Sequence, residues 1–174
     1  DALARICGVI ANPEIQGMRE KLVDANAEPD VKTQVCIDAL MECTFANAVD
    51  AGGLALVVPV LSRGLKERKS DLKKKAAKTT GNICALVTSS ADLAPFVPLL
   101  LPDLKKSLVD QSPDVRLCSA WAVASMLGGL GAEDADSLQT RLEELQNMVV
   151  GEDVDARVVG ERGLEQVNPK TLKP

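Results

Sequence analysis

A run of basic side chains between positions 61 and 80 offers the clearest chemistry in this sequence. It holds eight Lys and Arg residues but only two acids, a local charge of +6 in a chain whose net charge is −5. Clustered cations attract phosphate and carboxylate groups, because binding releases counterions and the field steers the encounter. We therefore predict a surface for an anionic partner, made of seven residues: Arg63, Lys66, Arg68, Lys69, Lys74, Lys75 and Lys78.

Two interpretations of this basic run stay open. It is either an ordinary solvated helix end or a surface for a folded RNA backbone or an acidic protein. The run has no aromatic side chain on which single-stranded bases could stack, so an RNA would be held without reading its sequence. Lys73 is left out of the surface, because it belongs to a column of bases that we expect to pair with Asp residues of neighbouring repeats. That column consists of Lys32, Lys73, Arg116 and Arg157.

Trp121 is the single tryptophan of the chain and a second candidate contact. It lies five residues after Arg116, and its counterparts at the same repeat position are Ile37, Lys78 and Arg162. Two of these three are charged, so we expect the column to face solvent or a rim, where Trp121 would anchor a partner protein. The alternative is a tryptophan half-buried against a neighbouring helix.

The composition gives little support to catalysis. The chain has no His, which excludes Ser-His-Asp and Cys-His nucleophiles and an imidazole base. Its five Cys residues are odd in number and form no C-x-x-C pair, a pattern typical of free thiols that fill a core in a reducing compartment. The acids between positions 131 and 144 lack the spacing of a calcium loop. We predict no catalytic residue, metal site, cofactor or small-molecule substrate.

An internal repeat identifies the elements that must position these residues. An Asp-x-Lys/Arg pattern recurs four times, with its bases 41, 43 and 41 residues apart. Each copy opens an apolar pattern of helical period, and a second helix precedes it. The preceding helices are predicted at 14–27, 53–68, 93–109 and 137–150. A unit of two helices with a period of about 42 residues is typical of HEAT arrays.

The buried side of the second helix in each unit follows from the same pattern. Residues three, seven and ten positions after the base fall on one helical face. In the first unit these are Val35, Ala39 and Glu42. We expect Val35, Ala76 and Val123 to be buried, and we expect the Asp of each pattern to cap its helix and oppose the helix dipole.

We therefore predict an all-α fold, a right-handed α-solenoid of about four HEAT repeats in a single domain covering residues 1–174. A half repeat at 1–11 comes before repeats at 13–46, 53–88, 92–130 and 134–167. The half repeat leaves an apolar end face near Leu3, Ile6 and Val9, so either more chain precedes it or a partner packs on that end. The longest uncharged run, 117–132, is too short to cross a bilayer.

Residues 44–131 resemble a segment of a known family. The runs that carry the resemblance are LALVVP at 54–59, RGLKER at 63–68, GNICALV at 81–87 and PDVR at 113–116. They are similar to the HEAT segment shared by fungal-type elongation factor three and the very large HEAT-repeat translational activator of the general-control pathway. The resemblance implies an all-α solenoid that contacts the ribosome and other proteins. It implies no ATPase activity, because the ATP-binding cassettes of the elongation factor are separate and this chain has no G-x-x-x-x-G-K-[ST] motif.

Two functions from different classes follow. The first is a non-catalytic HEAT-repeat binding module of a translation-associated protein, located in the cytoplasm, that docks on the ribosome, its RNA backbone or protein partners. The alternative is a structural subunit or scaffold of a stable multi-protein assembly, inside an organelle after removal of a targeting peptide. In both cases the expected partners are other proteins within a larger complex.

Overall fold

The computed structural model describes residues 10–130, and within this range every regular element is helical. The elements are α1 (Pro13–Gly17), α2 (Arg19–Ala27), α3 (Pro29–Glu42), α4 (Ala51–Lys66), α5 (Ser70–Ala85), α6 (Ser90–Leu93), a 3₁₀ turn (Ala94–Phe96), α7 (Val97–Leu108) and α8 (Pro113–Gly129). The predicted all-α class is confirmed over this range. The helix predicted at 137–150, the repeat at 134–167 and the end face near Leu3, Ile6 and Val9 lie outside the described residues.

Three helix pairs stack in two layers. The pairs are α2 with α3, α4 with α5 and α7 with α8, and we call them units one, two and three. The first helices, α2, α4 and α7, contact one another in order, and so do the second helices, α3, α5 and α8. The turns within the units at 28, 67–69 and 109–112 connect one layer to the other. None of the helices between residues 10 and 130 has the length and apolar character that a membrane crossing requires.

Two glycines allow the helices to approach closely. A Cβ atom at Gly64 on α4 would overlap Cδ1 of Ile37 on α3 and lie 2.9 Å from the Cβ of Ala76 on α5. A Cβ atom at Gly81 on α5 would overlap the ring of Trp121 on α8. These contacts exist because the two positions carry no side chain. A larger residue at Gly64 would push α4 away from α3 and α5, and one at Gly81 would push α5 away from α8.

The predicted buried side of α3 is wrong. Val35 is 59% exposed, whereas Ala76 and Val123 in the next two units are completely buried, as predicted. Helix α3 instead turns Ile37 inward to fill the space above Gly64. Because residues two apart on a helix point about 200° apart, an inward Ile37 turns Val35 outward.

The predicted helix capping by Asp is wrong as well. The three acids occupy the second helical position, and the residues before the helices, Glu28, Lys69 and Ser112, make no side-chain capping bond. Their charges still lie in the first turn, where they oppose the helix dipole. The side-chain caps are Asn12 and Asp50, which accept bonds of 2.9 and 2.8 Å from N–H groups three residues on. The three acids are Asp30, Asp71 and Asp114.

Candidate binding surface

Arg63 joins units one and two. Its Nη2 donates to the carbonyl oxygen of Ala25 at 2.8 Å and to Oδ1 of Asn26 at 3.1 Å, and its Nε donates to Oγ1 of Thr33 at 3.1 Å. Ala25 lies in the last turn of α2, where carbonyl oxygens have no partner within their own helix. Burial lowers the pKa of Arg63, although an arginine stays charged at neutral pH. Arg63 therefore caps α2 from the neighbouring unit, and its donors are directed into the protein.

Lys73 and Lys74 on α5 bind acids of unit three. Lys73 Nζ lies 2.7 Å from Asp110 Oδ2, and Lys74 Nζ lies 2.9 Å from Asp114 Oδ2. Burial alone would raise the pKa of Asp110, but hydrogen bonds from Lys73 and from the Ser112 amide outweigh it and lower this pKa. The hydrogen bond to Asp114 raises the pKa of Lys74. Both lysines therefore hold unit three against unit two.

Lys75 binds in the opposite direction, toward unit one. Its Nζ lies 2.9 Å from Asp38 Oδ1 on α3 and 2.8 Å from Asp71 Oδ2, one turn earlier on its own helix. The hydrogen bonds to Asp71 and then Asp38 raise the pKa of Lys75 well above its ordinary value. Three consecutive lysines thus connect α5 to both of its neighbours, because successive helical side chains point about 100° apart.

The predicted column of pairing bases holds only for Lys73 among the described residues. Arg116 folds back and donates to the carbonyl oxygens of Asp110 at 2.8 Å and Gln111 at 3.1 Å, in the turn that precedes its own helix. Lys32 makes no ion pair within residues 10–130. The prediction is wrong for Arg116 because its side chain reaches its own turn before it reaches another unit. Arg157 lies outside the described residues.

Acids from the neighbouring units offset most of the basic run. Lys66 Nζ lies 3.4 Å from Oδ2 of the buried Asp103 on α7. With this pair and those of Lys73, Lys74 and Lys75, four Asp side chains from outside the run lower its net charge from +6 to +2. Each of these four acids is 37 to 40 residues away in sequence from the lysine that it pairs with. Only the stacking of the units brings the opposite charges close together.

The bases that can still bind an external anionic group lie mainly along one groove. This groove, which we call the turn groove, has a volume of about 540 Å³ and lies between the start of α3 and the turn from α4 to α5. The side chain of Lys66 is 61% exposed there, and Lys69 Nζ makes one long contact of 3.5 Å with Gln34 Oε1. Arg68 is exposed and makes no hydrogen bond or ion pair within residues 10–130. Lys78 on α5 is likewise exposed and unpaired there, but does not line the groove.

Trp121 is half-buried, with its ring lying over Gly81. Its column does not share one environment, because Ile37 is completely buried and Lys78 is exposed. The ring therefore contributes to the packing of α8 on α5, and only its outer part is open to a partner. One turn earlier on the same helix, Leu117 is 50% exposed.

The thiols and acids of the described residues form no reactive centre. Burial raises the pKa of Cys36 to about 11 and that of Cys84 to about 12, which keeps both as neutral core thiols. Burial also raises the pKa of Cys43 and Cys118. Within residues 10–130 no group of three or more Cys, Asp or Glu side chains is placed to hold a metal ion.

Comparison with known proteins gives one family and several relatives. The family described as "Elongation factor 3/GNC1 HEAT repeat" matches residues 32–137. Protein ILITYHIA of Arabidopsis thaliana is 45% identical over 79% of the chain, and Stalled ribosome sensor GCN1 of Homo sapiens is 41% identical over 82%. Elongation factor 3 of Phytophthora infestans is 31% identical over 86%. The chain spans 5% of the first two relatives and 15% of the third.

Proposed function

The chain belongs to the elongation factor 3/GNC1 HEAT repeat family, and from this premise we propose that it is a non-catalytic binding module of a translation-associated protein. The names of two relatives, a stalled ribosome sensor and an elongation factor, support a role at the ribosome. Because the chain spans a small part of these relatives, it would supply a docking surface to a larger protein. We expect this protein to work in the cytoplasm.

The family match over residues 32–137 carries this proposal, because it includes the whole basic run. Within that run the contacts separate two roles. Lys74 and Lys75 bind acids of adjacent units, and Arg63 caps α2, so these three would hold the solenoid together. Arg68 and Lys69 in the turn groove, together with Lys66 and Lys78, would meet the anionic partner.

Co-sedimentation with purified ribosomes tests the proposal. We expect the chain to bind, and we expect the affinity to fall steeply between about 50 and 200 mM salt, because the contact is between charges. The double variant Arg68→Glu, Lys69→Glu should bind about tenfold more weakly. The matched control is Arg19→Glu, Lys21→Glu, which reverses one arginine and one lysine charge at exposed positions of α2, away from the turn groove.

Binding that ignores salt, or an equal loss in the control variant, would reject the basic turn as the docking surface. An absence of ribosome binding at about 50 mM salt would reject the docking function itself. Far-UV circular dichroism of each variant confirms that the helices are intact.

The second candidate is a structural subunit of a stable assembly, and one observation favours it. Val31 and Val35 on α3 are 69% and 59% exposed, one helical turn apart. Together they form an exposed apolar stripe on α3, and burial of such a stripe against another protein is favourable. This candidate predicts that the chain associates with a partner through α3 and that Val35→Lys weakens the association. Sedimentation of a monomer at every concentration, with no partner in a pull-down, would count against it.

A further inference from the structure

The turn groove is shaped between two units. The first turn of α3 forms one wall, with Pro29 and Asp30, and the turn from α4 to α5 forms the other. Its volume of about 540 Å³ is within the range of pockets that bind small ligands, so it can receive one or a few side chains of a partner. Arg63, held by its three acceptors, lines it and is fixed in place.

The charges of the groove are mixed, with a positive excess. Four bases and two acids line it, which leaves a net charge of +2. Arg63 is engaged within the protein, and Lys66 is shared with Asp103. Arg68 and Lys69, adjacent in the chain, are therefore the two cations with most capacity left for a ligand. The two acids are Asp30 and Glu67, and both are exposed.

This pattern fits a peptide better than a nucleic acid. A nucleic acid carries a phosphate at every residue, which would be repelled by Asp30 and Glu67, and no aromatic side chain lines the groove to stack a base. An acidic peptide places carboxylates at intervals, and its backbone N–H groups can donate hydrogen bonds to the carboxylates of Asp30 and Glu67. The guanidinium of Arg68 matches a carboxylate with two parallel hydrogen bonds.

We propose that the turn groove binds a short acidic segment of a partner protein, with Arg68 and Lys69 receiving its carboxylates. This inference rests on the proposed function, because it names the class of partner that the basic turn takes. It assigns the docking contact to protein instead of ribosomal RNA. It also gives Asp30 and Glu67 a role, since they would disfavour an uninterrupted polyanion.

Fluorescence anisotropy with the whole chain and two labelled probes tests this inference. The probes are an eight-residue peptide of alternating Glu and Ser, which places its carboxylates at intervals, and an oligouridine RNA of the same length. We expect the peptide to bind more tightly than the RNA. Arg68→Glu, Lys69→Glu should weaken peptide binding about tenfold, and the control Arg19→Glu, Lys21→Glu should change it less than about twofold. Glu67→Gln should tighten RNA binding more than peptide binding, because it removes a repelling charge.

The alternative outcomes each overturn the inference. Tighter binding of RNA than of peptide, with the same loss in the groove variant, would assign the groove to nucleic acid. Absence of peptide binding, or an equal loss in the control variant, would show that the groove does not select an acidic segment. If ribosome binding by the chain persists in these cases, the proposed function stands and only the assignment to an acidic peptide fails.

Discussion

Replacement of Gly81 by alanine tests how closely α5 and α8 pack. The added Cβ would overlap Cε3 and Cζ3 of Trp121 and lie 3.1 Å from its Cδ2. The ring is rigid, so the methyl group can be accommodated only if the ring rotates away or the two helices separate. Both responses disturb the contact between the second helices of units two and three.

The magnitude is the difference of two opposing effects. Alanine is a better helix former than glycine by about 1 kcal/mol in a helix interior. Overpacking of a closed interface costs about 1–3 kcal/mol. We therefore expect Gly81→Ala to lower the free energy of unfolding by about 1 kcal/mol in the native background. In a Trp121→Ala background the ring is gone, and the same change should raise it by about 1 kcal/mol.

Urea unfolding followed by far-UV circular dichroism measures both effects in a double-mutant cycle. The matched control is Gly128→Ala on α8, where an added Cβ meets nothing within 4 Å. That control should have the same effect in both backgrounds. If Gly81→Ala stabilised the native background as much as it stabilises the Trp121→Ala background, the ring would not lie over Gly81 and the reasoning would be refuted.

Three further predictions concern the contacts between units and the buried thiols. Arg63→Met should lower the free energy of unfolding by about 1–3 kcal/mol, because it leaves acceptors on α2 without a donor, whereas Arg68→Met should change it by less than about 0.5 kcal/mol; urea unfolding compares the two. Asp38→Asn should lower the urea midpoint slightly at low salt and leave it unchanged at high salt, since the ion pair with Lys75 is partly exposed and salt screens it; comparison of the urea midpoints at the two salt concentrations shows it. Stability should fall as pH rises above 9, because Cys36 and Cys84 have pKa values of about 11 and about 12 in the folded chain and 9.0 in the unfolded chain. The unfolded state then loses protons that the folded state keeps, at up to about 1.4 kcal/mol per pH unit for each thiol, and Cys36→Ala should make the dependence shallower.

The helices and their pairing were predictable because the signals are local. The Asp-x-Lys/Arg pattern marks the start of α3, α5 and α8, and apolar residues at helical spacing follow it. Some bounds differ. The helix predicted at 14–27 is divided at Met18, and the one predicted at 93–109 begins with a 3₁₀ turn before Val97. Such breaks depend on how each end packs, which periodicity does not report.

The rotation of α3 was not predictable from spacing alone. Val35 and Ile37 are both apolar and both fit a helical face, so the sequence allows either to be inward. The absence of a side chain at Gly64 on another helix decides in favour of Ile37. The rotation of α3 is therefore set by a contact between two units, and this contact can be recognised only in the tertiary structure.

The division of the basic run was also beyond the sequence. Lys74 and Lys75 resemble Arg68 and Lys69 in charge and neighbourhood, but their partners Asp114 and Asp38 are 40 and 37 residues away. Counting charges along the chain shows an excess of +6 and gives no way to know which cations are offset. Only the stacking of the units distinguishes the bases that pair with acids of neighbouring units from those that can still bind a partner.

Ribosome affinity of two matched neutral variants tests this separation most directly. Arg68→Gln, Lys69→Gln removes the two cations of the turn groove, and Lys74→Gln, Lys75→Gln removes two that bind neighbouring units. We predict that the first variant loses most of the ribosome affinity, whereas the second keeps it when the assay is run at a low temperature at which both variants are folded. Equal affinities for the two variants, or a loss confined to the second, would contradict it.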